Sequence, residues 1–153
     1  MINKLNDKEF EIFINNFRNK LNKLGFKNTI QKDYILKVLF FSEDHLNAEE
    51  ITKTVQKKFN LNIGIATVYR ALSFLEQMEV INSLDIGDGI KRYELNFNKT
   101  HHDHLVCVKC KKVIEFNDNF IELEQIKIAE NNGFILNDHI MTIYGLCEEC
   151  NNK

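Results

Sequence analysis

Residues 65–97 read IATVYRALSFLEQMEVINSLDIGDGIKRYELNF. Two periodicities meet inside this stretch. From Ile65, the residues Val68, Ala71, Leu72, Leu75 and Met78 recur at three- and four-residue steps, the spacing of one helix face. Beyond residue 79 that period stops. Residues 80–86 and 91–97 are short apolar-rich runs separated by Gly87, Asp88 and Gly89, and in the second run Tyr93, Leu95 and Phe97 alternate with Arg92, Glu94 and Asn96. Period-two alternation on either side of a Gly-Asp-Gly turn predicts a β-hairpin. A helix running straight into a hairpin is the order of a winged helix, a helix-turn-helix carrying a β wing.

Three more helices are predicted upstream. Phe10, Phe13, Ile14, Phe17, Leu21 and Leu24 share one face, and Gly25 is a natural stop. Thr29 is placed to cap a second helix with Ile35, Leu36 and Leu39 on its apolar side. Asn47 followed three residues later by Glu50 has the form of a capping box, and Ile51, Val55 and Phe59 follow. Downstream the pattern is different: strands around 105–108 and 113–116, a helix near 118–132 ended by Gly133, and a strand over about 135–146. The fold class is therefore α+β, with the boundary between halves near 96–100.

The chain has 153 residues, of which 44% are apolar and 27% charged, an ordinary globular balance. Its formal charge of −2 argues against nucleic-acid binding by bulk attraction. The distribution reverses that argument locally: residues 1–37 hold eight basic and four acidic side chains, residues 96–153 six and nine. No apolar run reaches a membrane span of about 18 residues. Asp7, Glu9 and Glu11 spoil any signal peptide, so a reducing cytoplasm is expected.

In that compartment Cys107-Val-Lys-Cys110 and Cys147-Glu-Glu-Cys150 point to metal rather than disulfide. A single C-x-x-C is equally a redox motif. Two such pairs, with no other cysteine in the chain, supply four thiolates to one tetrahedral Zn²⁺. A closed four-sulfur shell has no open position, which makes such a zinc structural. The segment from Lys111 to Leu146 would be closed into a loop by it.

His101-His102-Asp103-His104 is the second dense cluster. On extended backbone alternate side chains share a face, so His102 and His104 point one way, His101 and Asp103 the other. One segment can then feed two metal sites, with His45, Glu94, Glu115, Glu122 and His139 as further candidate ligands. Imidazole and carboxylate donors suit Fe²⁺, Mn²⁺, Zn²⁺ or Co²⁺ without choosing among them. A solvated histidine loop is the plainer alternative.

On the fourth helix Tyr69 and Arg70 lie off the apolar stripe. They are positioned to meet a base edge or thymine methyl and a phosphate or guanine. Alternatively Tyr69 packs at a helix junction and Arg70 pairs with Glu76 or Glu79.

These motifs together resemble the ferric uptake regulator (Fur) family. Gly64-Ile-Ala-Thr-Val-Tyr-Arg-Ala-Leu72 looks like its recognition helix. His101-His-Asp-His104, Cys107-x-x-Cys110, Lys112-Val-Ile-Glu-Phe116 and Tyr144-Gly-x-Cys-x-x-Cys150 are similar to its metal-binding half. The resemblance implies a winged-helix DNA-binding domain over residues 1–96, extended by an extra N-terminal helix, and an α/β dimerisation domain over 97–153. It implies structural zinc on Cys107, Cys110, Cys147 and Cys150. It implies a regulatory site between the domains on His45, Glu94, His102, His104 and Glu115, and a further site on His101, Asp103, Glu122 and His139. Lys27, Thr67, Tyr69 and Arg70 become the DNA-contacting candidates. A homodimer reading a double-stranded operator with two half-sites follows, with Fe²⁺ as regulatory metal and Mn²⁺, Zn²⁺ or Co²⁺ able to substitute. No membrane or small-molecule substrate is implied.

Two details refine the comparison. Many members carry Gln-Arg before the second helix, where this chain has Gln31-Lys32. Peroxide-sensing members carry Asp at the positions of Glu94 and Glu115, which favours a sensor of metal supply here; zinc- and nickel-responsive relatives share overlapping ligand sets. The rival class is a zinc enzyme. A nucleobase deaminase needs H-x-E and P-C-x-x-C, whereas this chain has His102-Asp103-His104 and no proline, and it lacks the H-E-x-x-H of zinc proteases. A zinc-stabilised interaction module without DNA binding is the remaining alternative.

Overall fold

Asn6 and Glu9 open the first helix with reciprocal hydrogen bonds: the Glu9 amide donates to Asn6 Oδ1 at 3.0 Å and the Asn6 amide to Glu9 Oε2 at 2.9 Å. Helix α1 runs Asp7–Lys23 in a computed structural model that describes residues 6–97 and 101–152. The chain divides into two compact units, Met1–Phe97 and Asn98–Lys153. Of the junction expected near 96–100, residues 98–100 lie outside the described residues.

In the first unit α1 is followed by α2 (Ile30–Phe40), β1 (Leu46–Asn47), α3 (Ala48–Phe59), α4 (Ile65–Gln77), β2 (Ile81–Asp85) and β3 (Lys91–Leu95). The caps of α2 and α3 are those the sequence predicts, whereas the Asn6–Glu9 box of α1 was not anticipated. Thr29 accepts from the Lys32 amide, and Asn47 and Glu50 form the second reciprocal box at 2.9 and 2.8 Å. The three strands form an antiparallel sheet in the order β1-β3-β2. Gly87 and Gly89 take φ of +78° and +76° in the hairpin turn, and Asp88 between them holds Arg92 through both carboxylate oxygens. This is a winged helix-turn-helix.

The extra helix is part of that core. Phe10, Phe13, Ile14, Phe17 and Leu21 are buried, and Phe13 and Phe40 enclose Phe97 with ring centroids 4.8 and 5.7 Å away. Arg18 reaches Asp33 on α2 at 2.7 Å. Leu24 departs from the expected stripe: the helix has ended, Gly25 turns at φ +77°, and Leu24 is exposed. Because Leu21 is fully buried, Leu21→Ala is expected to cost about 2–5 kcal/mol in denaturant unfolding. Ile12→Ala, on the exposed face, should stay within about 0.5 kcal/mol.

The second unit holds β4 (Asp103–Cys107), β5 (Val113–Phe116), α5 (Asn119–Asn131), β6 (Thr142–Gly145) and α6 (Glu148–Asn151). Strand order is β5-β4-β6, with β4 antiparallel to β5 and parallel to β6. The strand expected over 135–146 is only β6. Its first half has apolar strand-formers, but among the described residues no strand pairs with residues 134–140; β4 meets this segment only where the His104 amide donates to the Met141 carbonyl at 3.2 Å, and Phe134, Ile135 and Ile140 are exposed.

Among the described residues the second unit buries only Val106 and Cys107 as apolar side chains, and α5 buries none. Leu123, Ile126, Ile128, Phe134, Ile135, Ile140 and Leu146 remain exposed. So many exposed apolar side chains in one small unit point to an interaction surface. No helix among the described residues is long and apolar enough to cross a membrane.

Candidate metal centres and nucleic-acid interface

The parallel register of β4 and β6 brings the four cysteines together. Cys107 ends β4 opposite Gly145, so the turn holding Cys110 lies beside Cys147 and the short α6 that carries Cys150. Their sulfurs lie within 4.8 Å of one another, and Cys110 Sγ is 3.6 Å from Cys147 Sγ. Four sulfurs at the Zn–S length of about 2.3 Å in a tetrahedron stand about 3.8 Å apart. The Cys110 and Cys147 amides donate to Cys107 Sγ at 3.5 and 3.4 Å. These two donors pull the Cys107 thiol down to about 5, while burial and the neighbouring sulfurs push Cys150 up. The donor set, the spacing and the closed shell fit structural zinc.

A second cluster collects His101 and Asp103 from the start of the unit, Glu122 from α5 and His139 from the segment before β6, with ligand atoms again within 4.8 Å of one another. Asp103 is 1% exposed, and neither of its carboxylate oxygens has a hydrogen-bond partner; nor has Glu122 Oε1. Each of the two histidine Nε2 atoms lies 3.5 Å from Asp103 Oδ1, and they lie 3.6 and 3.8 Å from Glu122 Oε1. Those separations are too long for hydrogen bonds but close to the distance of about 3–3.6 Å between ligands on one first-row cation. His101 Nε2 and His139 Nε2 meet at 2.8 Å. Buried carboxylates left unbonded are costly unless a cation compensates them, so this set fits a divalent ion.

The remaining predicted ligands form one group in each unit. In the first, a Ser42–Asp44 turn leads into β1, whose pairing of Leu46 with Tyr93 sets His45 against Glu94, Nε2 to Oε2 3.3 Å. Although it follows the acidic Glu43-Asp44 pair, His45 is drawn in: its side chain is 7% exposed. Glu94 is buried within a strand whose last three positions are all buried, so it departs from plain alternation. In the second unit the His102 and His104 rings lie 5.1 Å apart, and His102 Nε2 is 3.7 Å from Glu115 Oε1. β4 pairs His104 directly with Glu115 on β5. His102 and His104 thus group apart from His101 and Asp103.

One polar group here escaped the sequence reading. Gln125 on α5 has a buried Oε1 without a hydrogen-bond partner, while its Nε2 points to Met141 Sδ at 3.9 Å. Its place three residues after Glu122 was the only available signal.

On α4, Val68, Leu72 and Leu75 are fully buried and Tyr69 is 53% exposed. Arg70 is exposed and donates to Thr67 Oγ1 at 3.3 Å. Glu76, one of the acidic partners considered for Arg70, instead accepts from Ser83 and lies 3.5 Å from Lys91. Lys27 is exposed, and its carbonyl accepts from Lys32 Nζ, which also sits 3.8 Å over the Phe74 ring. Burial there lowers the Lys32 pKa, and the residue braces the loop that presents Lys27. Arg70→Ala is expected to weaken operator binding, and Tyr69→Ala to relax sequence preference by about 1–3 kcal/mol at one base step. Competition gel shifts against single-base operator variants read both effects; parent-like binding by both variants would assign DNA reading to another element.

Residues 23–144 match the profile of the ferric uptake regulator family. The ferric uptake regulation protein of Campylobacter jejuni is 42% identical over 146 residues, covering 95% of this chain and 92% of that protein. The solved Helicobacter pylori ferric uptake regulator, described as having three functional metal-binding sites, superposes with a TM-score of 0.84 at 37% identity, covering 93% of each chain. The iron-bound regulator of Francisella tularensis superposes at 0.73 with 37% identity, covering 83% of this chain and 96% of that one. The chain belongs to the ferric uptake regulator family of dimeric, metal-responsive DNA-binding transcriptional regulators, which are not enzymes.

Proposed function

We propose that this protein is an iron-responsive repressor whose homodimer grips a two-half-site operator when a divalent cation is held jointly by His45 and Glu94 of the first unit and His102, His104 and Glu115 of the second. The observation that carries this reading is the repeated pairing of imidazole with carboxylate, His45 with Glu94 and His102 with Glu115, one pair in each unit. Three imidazoles and two carboxylates suit Fe²⁺ or Mn²⁺ better than a four-coordinate thiolate site would. The iron-bound Francisella tularensis relative supports iron as the regulatory metal. Glu94 and Glu115 stand where peroxide sensors carry Asp.

In this reading Cys107, Cys110, Cys147 and Cys150 hold structural Zn²⁺, and His101, Asp103, Glu122 and His139 hold a second divalent ion in the dimerisation domain. Bound at the shared site, the cation supplies positive charge and a crosslink between units. His45, Glu94, His102, His104 and Glu115 restrict the two recognition helices to one spacing, matched to half-sites one or more DNA turns apart. Shifting such an equilibrium from 1:99 to 99:1 takes about 5.5 kcal/mol of differential affinity. Reduced thiols used as ligands suit a cytoplasmic protein.

Zinc-loaded protein titrated anaerobically with Fe²⁺, Mn²⁺, Zn²⁺ or Ni²⁺ in separate DNA-binding experiments tests the proposal. Fe²⁺ and Mn²⁺ should promote operator binding. Stimulation by Zn²⁺ or Ni²⁺ alone would reassign the sensed metal, and identical binding with and without every ion would remove metal control.

A further inference from the structure

We infer that Gln125 supplies a fifth, oxygen donor to the cation of the His101–Asp103–Glu122–His139 cluster, directly or through one water, and that this donor biases the cluster against four-coordinate zinc. The inference rests on the proposed metal occupancy of that cluster.

Gln125 Nε2 lies 3.9 Å from Met141 Sδ. A thioether has no proton to give, so the amide presents its NH₂ to the sulfur and turns its carbonyl oxygen the other way. That oxygen is buried and has no hydrogen-bond partner. A buried amide oxygen left unbonded carries a desolvation cost.

Gln125 follows Glu122 by three residues on α5, so both project from the same side of the helix. Its sulfur contact, Met141, follows His139 by two residues, so the amide is flanked in sequence and in space by elements that carry two of the ligands. Gln125 Oε1 shares one property with Asp103 Oδ1, Asp103 Oδ2 and Glu122 Oε1: each is a buried oxygen without a hydrogen-bond partner among the described residues of this unit. One bound cation would satisfy the whole group.

The chemical consequence is selectivity. Two imidazoles and two carboxylates can close a tetrahedron around Zn²⁺. A further neutral oxygen gives a five-coordinate or larger shell, which Fe²⁺ and Mn²⁺ accept more readily than Zn²⁺ does. Met141 then acts as a positioning residue, since its sulfur fixes which end of the amide faces the cluster.

The test uses zinc-loaded full-length protein carrying His102→Ala and His104→Ala, so that the cluster is the remaining regulatory-type site. Bound Co²⁺ reports coordination number: four-coordinate Co²⁺ absorbs strongly in the visible, and five- or six-coordinate Co²⁺ weakly. Without further change the spectrum should be weak. Gln125→Leu should give the strong spectrum and lower Mn²⁺ affinity at least about tenfold relative to Zn²⁺ affinity. Gln125→Glu keeps an oxygen donor and should retain the weak spectrum and the Mn²⁺ affinity. An unchanged Co²⁺ spectrum and an unchanged Mn²⁺-to-Zn²⁺ ratio in Gln125→Leu would overturn the inference while leaving the cluster as a metal site. If His101→Ala with Asp103→Ala costs no metal equivalent, the cluster's occupancy fails, and the inference falls with it.

Discussion

Cys107→Ser is expected to release about one equivalent of zinc per protomer and to unfold the second unit while the first keeps its melting transition. The expectation follows from where each unit's stability resides. The first is built on an apolar core of helices and wing with Leu21, Ile35, Leu36, Ile51, Val55, Leu72 and Leu75 fully buried. The second buries Val106 and Cys107 as its apolar side chains among the described residues and closes its sheet at the four sulfurs. Zinc bound by cysteine-rich peptides contributes about 10–16 kcal/mol of apparent binding free energy, which becomes folding free energy where the protomer itself buries so little else. Against a typical domain stability of about 5–15 kcal/mol, that loss is decisive. Cys107 is also the sulfur that accepts both backbone amides, so serine loses a metal ligand and weakens two hydrogen bonds together. Zinc content by mass spectrometry and two-transition calorimetry read the result. Zinc retained at one equivalent with unchanged melting would remove Cys107 from the site.

The second large effect is expected from His102→Ala combined with His104→Ala. No cysteine is altered, so structural zinc should stay. The exposed apolar face of the second unit is untouched, so the protein should remain dimeric. Metal-stimulated operator binding should vanish at metal concentrations up to about 100-fold above the parent's half-saturation, because two of five proposed donors are lost together. The companion pair, His101→Ala with Asp103→Ala, acts on the other ligand group, where Asp103 lies 3.5 Å from both His101 and His139. It should remove a different metal equivalent and reduce activation less. If both double variants lose the same equivalent and the same stimulation, the two-site division is wrong and all four residues serve one ion.

Where the sequence was legible, a long period or a dense motif carried the information. Helix α4 and its hairpin announce themselves through a change of period from helical to two-fold. The four cysteines do so by spacing alone. Strand β1 did not, because Leu46–Asn47 is too short to have a period. Yet its register with β3 is what sets His45 against Glu94, a pairing no local pattern encodes. The strand expected over 135–146 shrank because strand propensity in Ile135 and Ile140 is not a ladder; pairing is a property of neighbours. Arg70 turned to Thr67, three residues back along α4, rather than to the glutamates ahead of it.

The parallel pairing of β4 with β6 also bears on how quickly the second unit forms. Each rung, from His104 with Thr142 to Cys107 with Gly145, joins residues far apart in sequence, so the whole intervening segment must be looped out before any rung closes. Such closure spends chain entropy before any contact repays it, and non-local pairing of this kind slows folding. The β4–β5 hairpin, by contrast, closes locally from Val106 to Val113. That order of closure would leave one cysteine pair on its turn while the other is still searching. Metal captured by the first pair would tether that search, so refolding of the second unit should accelerate with zinc concentration while refolding of the first does not.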